Sequence, residues 1–253
     1  MPHDPKLELA AATDDQVAAA KHLRMGTLLG MSVYPINWLL PEAMCTASVI
    51  SQHMTKWSEE HYQAACKMAA YVAHHEHGLT FTASKEGLEL VSYADSDWGS
   101  HDVSRGGQVH MWMGAAVAFS SKKTLTFPST AAAETQNAAN ASTYAMGLRA
   151  LLEDTPSVFR PTKPSKLVGD NSASVQICNG NQSLKPLSRF IARRINVLRQ
   201  NIAQFAQDYI WAPTRRQLAD PLSKLVAKPL FARFAPRLKG LKPHTEWSSD
   251  EDD

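Results

Sequence analysis

Apolar residues recur at helical spacing over the first third of the chain and in short, strand-like runs after it. Thr13 followed by Asp14 and Asp15 has the form of a helix cap with acids in its first turn, predicting a helix through Ala18–Leu29 towards Tyr34. Pro41-Glu42 opens a second helix, with Met44, Val49, Ile50 and Met54 as its apolar side. Ser58-Glu59-Glu60 opens a third, striped by Tyr62, Ala65, Cys66, Met68, Ala69 and Val72. Residues 1–12 read as a loose leader, and residues 1–77 as a helical arm.

The pattern then changes period. A strand over Leu79–Ala83 turns through Lys85-Glu86-Gly87 into a second, Leu88–Asp95, with its exit at Gly99-Ser100-His101. Arg105-Gly106-Gly107 reads as a turn, Gln108–Met113 and Ala115–Ser121 as strands about a tight bend at Gly114, and Lys122-Lys123 closes the meander. Pro128-Ser129-Thr130 caps a long Ala-rich helix over Ala131–Leu152. A proline-rich linker, Thr155–Pro164, leads to a short strand, Lys166–Asp170, and a helix over Asn171–Asn179. A helix over Leu187–Gln207, a strand Asp208–Trp211 and a helix Arg215–Val226 complete the series. The order predicts an α/β domain over residues 78–230, built on a five-stranded mixed sheet with helices on its faces. Residues 231–253, basic and then acidic, read as a disordered tail.

Composition narrows the class without fixing it. A chain of 253 residues with 44% hydrophobic content can bury a full core. Net charge is only +2, yet residues 89–228 hold 16 Lys and Arg against 10 Asp and Glu, a net of +6. Three cysteines (Cys45, Cys66, Cys178) are too few and too scattered for a disulfide framework or a zinc knuckle. No apolar leader and no membrane-spanning run is evident, so an intracellular protein, cytoplasmic or nuclear, is expected. The cluster His74-His75-Glu76-His77 could hold a metal, but it ends a helix, where cationic side chains are favoured in any case.

Four acids fall at matching places: Asp95 ending a strand, Glu134 in the first turn of the long helix, Asp170 ending the next strand, and Asp220 on the last helix. Carboxylates at strand ends sit at the crevice edge where α/β sheets place their chemistry. If the strands of Asp95 and Asp170 are parallel neighbours, both side chains emerge together, and the long helix can lower Glu134 beside them. Four converging carboxylates need a counter-charge. Mg²⁺ suits such oxygen ligands, and two such ions about 4 Å apart clamp the attacking water and leaving oxygen of a phosphodiester.

These residues carry a resemblance. Tyr93-Ala-Asp95-Ser-Asp97-Trp98-Gly99, Ser120-Ser-Lys-Lys123, Ser129-Thr130-Ala-Ala-Ala-Glu134, Asp170-Asn171-Ser-Ala173 and Ala212-Pro213-Thr214 with Gln217-Leu218-Ala219-Asp220-Pro-Leu222-Ser-Lys224 together resemble the ribonuclease H domain of Ty1/copia-type retrotransposon polyproteins. The series covers about residues 79–230. The earlier helices, through Leu28-Leu29-Gly30 and Val49-Ile50-Ser51-Gln52-His53-Met54, resemble the connection that precedes that domain. The resemblance implies a ribonuclease H-like sheet of order 3-2-1-4-5. It implies hydrolysis of the RNA strand of RNA/DNA hybrids with two Mg²⁺ ions, for which Mn²⁺ can substitute. Asp95, Glu134, Asp170 and Asp220 would be the catalytic, metal-binding set, with Asp95 shared by both ions and Asp97 structural. A reverse transcriptase or larger polyprotein would be the partner.

The chain departs from the family at Ala132, where an acid is usual, and in the helix Arg189–Arg199, which has Phe190, Ala192 and Asn196 where His and Asp are usual. No histidine precedes Asp220 in its loop, and no polymerase-like Asp-Asp hairpin is present.

Hybrids show 2′-hydroxyls in a wide minor groove. Asn171, Gln136 and Asn137 are candidates to meet them, or else are helix-start polarity. Lys122, Lys123, Arg193, Arg194, Arg215 and Arg216 are candidates for phosphate, or else solvated charges. Trp98 and Trp211 are expected in the core. The alternative to an active nuclease is a domesticated, non-catalytic module that binds nucleic acid or protein; a strand-transferase of the same fold is disfavoured because such enzymes normally use three acids.

Overall fold

The computed structural model describes residues 1–4, 7–76, 78–82, 88–98, 104–125, 127, 129–180, 189–205 and 207–245. Its centre is β1 (Val91–Asp97), which pairs antiparallel with β2 (Arg105–Trp112) and parallel with β4 (Ser165–Gly169). β3 (Ala115–Lys123) extends the sheet antiparallel beyond β2, and β5 (Gln207–Trp211) extends it parallel beyond β4. The order is therefore β3-β2-β1-β4-β5, as the resemblance implies.

The β2–β3 hairpin turns at Met113 and Gly114, both with positive φ (48° and 85°), the pairing that matches strand twist in a two-residue turn. Residues 105–107 do not form the expected turn: they open β2. The glycines there serve the close approach of helices on both faces. A Cβ at Gly106 would lie 2.8 Å from Asn137 Oδ1, and one at Gly107 would lie 2.6 Å from Ala219 O and Ser223 N. The expected strand at Leu79–Ala83 is also absent over residues 79–82, which instead run alongside: Thr80 N–H donates to Lys239 O, and Thr82 N–H to Met113 O. Ala83 and the Lys85-Glu86-Gly87 turn lie outside the described residues, as do Gly99-Ser100-His101, His77 and the start of the expected helix at Leu187.

On one face of the sheet lie α5 (Thr130–Glu153), α6 (Ser172–Cys178) and α7 (Arg189–Phe205). Buried Ala132, Ala133, Ala138, Ala139 and Ala141 let α5 sit close to Ala94 and Leu167 below and to Ile191, Ile195 and Leu198 beside it. Ser129 caps α5 by accepting from Ala132 N–H, so Glu134 begins the second turn, one turn later than the sequence suggested. The other face carries α8 (Asp220–Ser223) and α9 (Lys228–Leu238), whose Leu222, Phe234 and Leu238 pack with Leu218 on Val91, Tyr93, Val109, Met111 and Val168.

Helix α9 corrects the reading of residues 231–253 as a disordered tail. Phe234 and Leu238 are fully buried, and the chain beyond packs back so that Tyr93 OH meets His244 Nδ1 at 3.1 Å. Aromatic and aliphatic residues at helical spacing were outvoted in the sequence by Pro229, Pro236 and the basic residues around them. Residues 246–253 lie outside the described residues.

The arm comprises α1 (Asp14–Ala20), α2 (Met25–Leu39), a 3-10 turn (Pro41–Ala43), α3 (Met44–Ser51) and α4 (Glu59–Ala73). The single first helix expected from Thr13 is two helices, broken between Ala20 and Met25. The arm has its own core around Met25, Leu29, Ile36, Ile50 and Met68, and packs through α3 and the 3-10 turn against β3, α8 and α9. Glu42 fixes that contact. Its Oε1 accepts from Tyr71 OH at 2.7 Å and lies 2.6 Å from Lys239 Nζ, both carboxylate and ammonium being buried. His75, from the histidine run that ends α4, joins this network 3.7 Å from Glu42, and His74 Nδ1 pairs with Ala70 O.

Candidate active site at the carboxylate edge of the sheet

In the parallel β1–β4 pair Tyr93 stands opposite Val168, so two residues further on Asp95 comes level with Asp170. Asp95 is not the end of its strand, as expected, but two residues inside it. Asp170 follows the last residue of β4 directly. Glu134 reaches over from α5, and one carboxylate oxygen each of Asp95, Glu134 and Asp170 lies within 4.8 Å of the others. Asp95 and Glu134 are buried, and Asp170 is half-buried.

Polar neighbours hold each acid in place. Asp95 Oδ2 accepts a short hydrogen bond from Ser223 Oγ of α8, and its backbone carbonyl accepts from Asn137 Nδ2 at 2.6 Å. Asp170 Oδ2 accepts from Thr214 Oγ1 at 2.7 Å, and its carbonyl from the Trp211 indole N–H at 2.8 Å. Gln217, fully buried, ties this loop to the sheet by donating from Nε2 to Ala94 O. Asp220, first residue of α8 rather than a member of a long last helix, stands beside the three. Its Oδ1 is 2.6 Å from Lys224 Nζ.

Burial raises the pKa of Asp95 and of Glu134, and their neighbours raise both further: Asp220 and Asp170 act on Asp95, Asp95 and Asp170 on Glu134. Burial also raises Asp220, against the pull of Lys224. Burial disfavours the Lys224 ammonium, yet Asp220, helped by Asp95 and Asp97, holds its pKa above the ordinary lysine value. The chain thus crowds desolvated carboxylates together while its own cation is engaged at the margin. Three hard oxygen donors in that state fit a divalent cation such as Mg²⁺.

The remaining candidates separate. Asn137 is engaged within the fold. It is buried, donating to Asp95 O and Gly107 O (2.8 Å) and accepting from Gln108 Nε2 at 2.7 Å. Asn171 Oδ1 caps α6 by accepting from Ser174 N–H. Gln136 is buried and donates to Asn140 Oδ1. Lys122 and Lys123 are the exposed last residues of β3, and Arg215 and Arg216 lie on the 3-10 turn that begins with Thr214. Arg193 is exposed on α7, and Arg194 lies 5.3 Å over the Phe190 ring. Trp98 and Trp211 are half-exposed rather than in the core, each held by its indole N–H on a backbone carbonyl. Sequence reasoning gave no role to Ser223, Thr214 or Lys224, although all three lie in the runs that carried the resemblance. Their signal was proximity to Asp220 in the chain, which does not say toward which acid a side chain turns.

The retrovirus-related Pol polyprotein from transposon RE1 of Arabidopsis thaliana is 28% identical over 202 residues, covering 78% of this chain and 14% of that protein. The chain is similar to this transposon Pol polyprotein over most of the chain's own length. The Pol polyprotein from Arabidopsis transposon RE2 is 26% identical over 207 residues, covering 80% of this chain and 14% of its own length. The chain therefore spans a small part of these Pol relatives. No protein-family model matches it. Among solved structures, the N-terminal ribonuclease H domain of a Mycobacterium tuberculosis protein superposes with a TM-score of 0.42 at 17% identity, covering 58% of this chain and 96% of that one. This chain's sheet has the strand order β3-β2-β1-β4-β5 that the resemblance implies. Among its described residues, no helix is long and apolar enough to cross a membrane.

Proposed function

We propose that the chain is a metal-dependent endonuclease that hydrolyses the RNA strand of RNA/DNA hybrids, working as the ribonuclease H portion of a retroelement Pol protein or of a host protein derived from one. The convergence of Asp95, Glu134 and Asp170 carries this reading. Asp95, Glu134 and Asp170 would hold Mg²⁺, with Asp220 completing the set once Lys224 yields it. The bound ion supplies Lewis acidity and a water activated at neutral pH. The chain's own residues orient the site: Ser223 fixes the Asp95 carboxylate, and Thr214 fixes that of Asp170. Arg215 and Arg216, on the turn that Thr214 begins, are placed to meet backbone phosphate.

One observation favours the second reading, a binding module without catalysis. Lys224 neutralises the fourth acid. A labelled hybrid incubated with Mg²⁺ separates the two. Cleavage by the wild type that disappears in Asp95→Asn is expected; binding without cleavage would establish the module instead.

A further inference from the structure

Away from the carboxylates, a cleft of about 730 Å³ opens between the edge of β3 and one flank of α5. That volume is in the range of small-ligand sites. Its α5 wall is a stripe one turn apart, Gln136, Asn140 and Tyr144. Gln136 is only 7% exposed and donates through Nε2 to Asn140 Oδ1 at 2.9 Å, leaving its own Oε1 buried with no hydrogen-bond partner. Thr124 Oγ1, across the cleft, is likewise buried without one. Two unmet polar atoms at the wall of a cavity mark a place where a ligand's polar edge is wanted.

The rest of the lining says what kind. The Tyr144 ring stacks on buried His110 (centroids 4.8 Å apart, 27° between planes), yet Tyr144 is 52% exposed, so its far face is open. Arg194 is presented over the Phe190 ring. Lys122 and Lys123 stand at the rim. An aromatic face, a side-chain amide with a free acceptor and cations at the mouth match the flat ring, polar edge and phosphate of one nucleotide.

We propose that this cleft takes a single unstacked nucleotide from a strand that runs beyond the paired region of the substrate. The base stacks on Tyr144, its edge donates to Gln136 Oε1, and its phosphate meets Lys122, Lys123 or Arg194. The site rests on the hybrid-nuclease reading of the neighbouring carboxylates, with which it shares helix α5, and adds to it a preference for hybrids that carry a single-stranded extension.

Fluorescence anisotropy in EDTA, where no cleavage occurs, tests it with a blunt 12-base-pair RNA/DNA hybrid, the same hybrid with a four-nucleotide DNA extension, and the free tetranucleotide. Stacking of one base leads us to expect roughly tenfold tighter binding of the extended hybrid. Tyr144→Ala should erase that gain, Tyr144→Trp should keep it, and both should bind the blunt hybrid as the wild type does. Equal Kd for blunt and extended hybrids in the wild type overturns the proposal. So does a gain that survives in Tyr144→Ala and vanishes only at high salt, which would mean phosphate contact alone. If the tetranucleotide binds through Tyr144 while the blunt hybrid does not bind, the cleft stands and the nuclease reading falls. If the hybrid is cleaved in Mg²⁺ but the extension adds nothing, the reverse holds.

Discussion

Lys224 Nζ lies 2.6 Å from Asp220 Oδ1, on the first turn after the acid itself, so the chain carries its own cation at the edge of its carboxylate cluster. The pair leaves three acids converging and the fourth neutralised. Removing the lysine should therefore do two opposite things. Lys224→Met leaves Asp220 buried without a partner and, in chelator, should lower stability by on the order of 1–2 kcal/mol, less than a fully buried pair because Lys224 is 40% exposed. Mg²⁺ should recover more stability in the variant than in the wild type. Urea unfolding with and without Mg²⁺ reads both, and an equal loss in the two conditions would count against the pairing.

The cluster also sets a pH dependence. Asp95 and Glu134 have folded-state pKa values above their ordinary ones, by burial first and then by neighbouring acids, Asp220 for Asp95 and Asp95 for Glu134. Such groups bind protons in the folded state that the unfolded chain has released. Their contribution to stability is whole below the ordinary carboxylate range, about pH 4, and is lost as pH rises through about 7 for Asp95 and about 10 for Glu134. The melting temperature of the metal-free protein should fall across that window. Mg²⁺ should flatten the fall, and Asp95→Asn should reduce it; a metal-free melting temperature that rises instead would contradict the burial of these acids.

Asn137 sits in the carboxylate helix yet serves the fold. Its amide bridges β1 and β2 and meets Gln108. Asn137→Ala strands buried carbonyls on two strands, which should cost about 2–4 kcal/mol. Hybrid affinity per folded molecule should change little. Thermal denaturation and anisotropy separate the effects, and intact stability with weakened hybrid binding would restore Asn137 as a substrate contact.

The C-terminal helix should behave as part of the domain. Lys239→Met takes the ammonium away from the wholly buried Glu42 carboxyl, with Tyr71 and His75 as its remaining neighbours. The expected loss is about 3–5 kcal/mol, measured by urea unfolding. A loss under about 1 kcal/mol would count for the reading of the chain from residue 231 onward as a tail.

Much of the architecture could be read from local signals, because strand runs and caps are local. The Ser129 cap and alanine run announced α5, and Asp95 near the end of β1 and Asp170 just after β4 announced the crevice edge. What failed, failed for want of neighbours. Gly106 and Gly107 look like a turn in any linear reading. Their reason is the close passage of Asn137 on one face and α8 on the other, which no window of sequence contains. Phe231, Phe234 and Leu238 look too sparse among prolines and basic residues to hold a helix, until the sheet face under Phe234 and Leu238 and the Tyr71 ring beside Phe231 are known.

The sequence by itself determined the sheet strands from β1 to β5, the helix α5 between them and the acids near their ends, since periodicity and capping are properties of a few adjacent residues. Only the tertiary structure decided that the Asn137 amide is engaged by two backbone carbonyls while Gln136 Oε1 meets no partner, that Ser223 and Thr214 steady Asp95 and Asp170, and that Lys224 claims Asp220. Those choices depend on which distant backbone or charge each polar group meets, and that is set by packing across the sheet rather than along the chain.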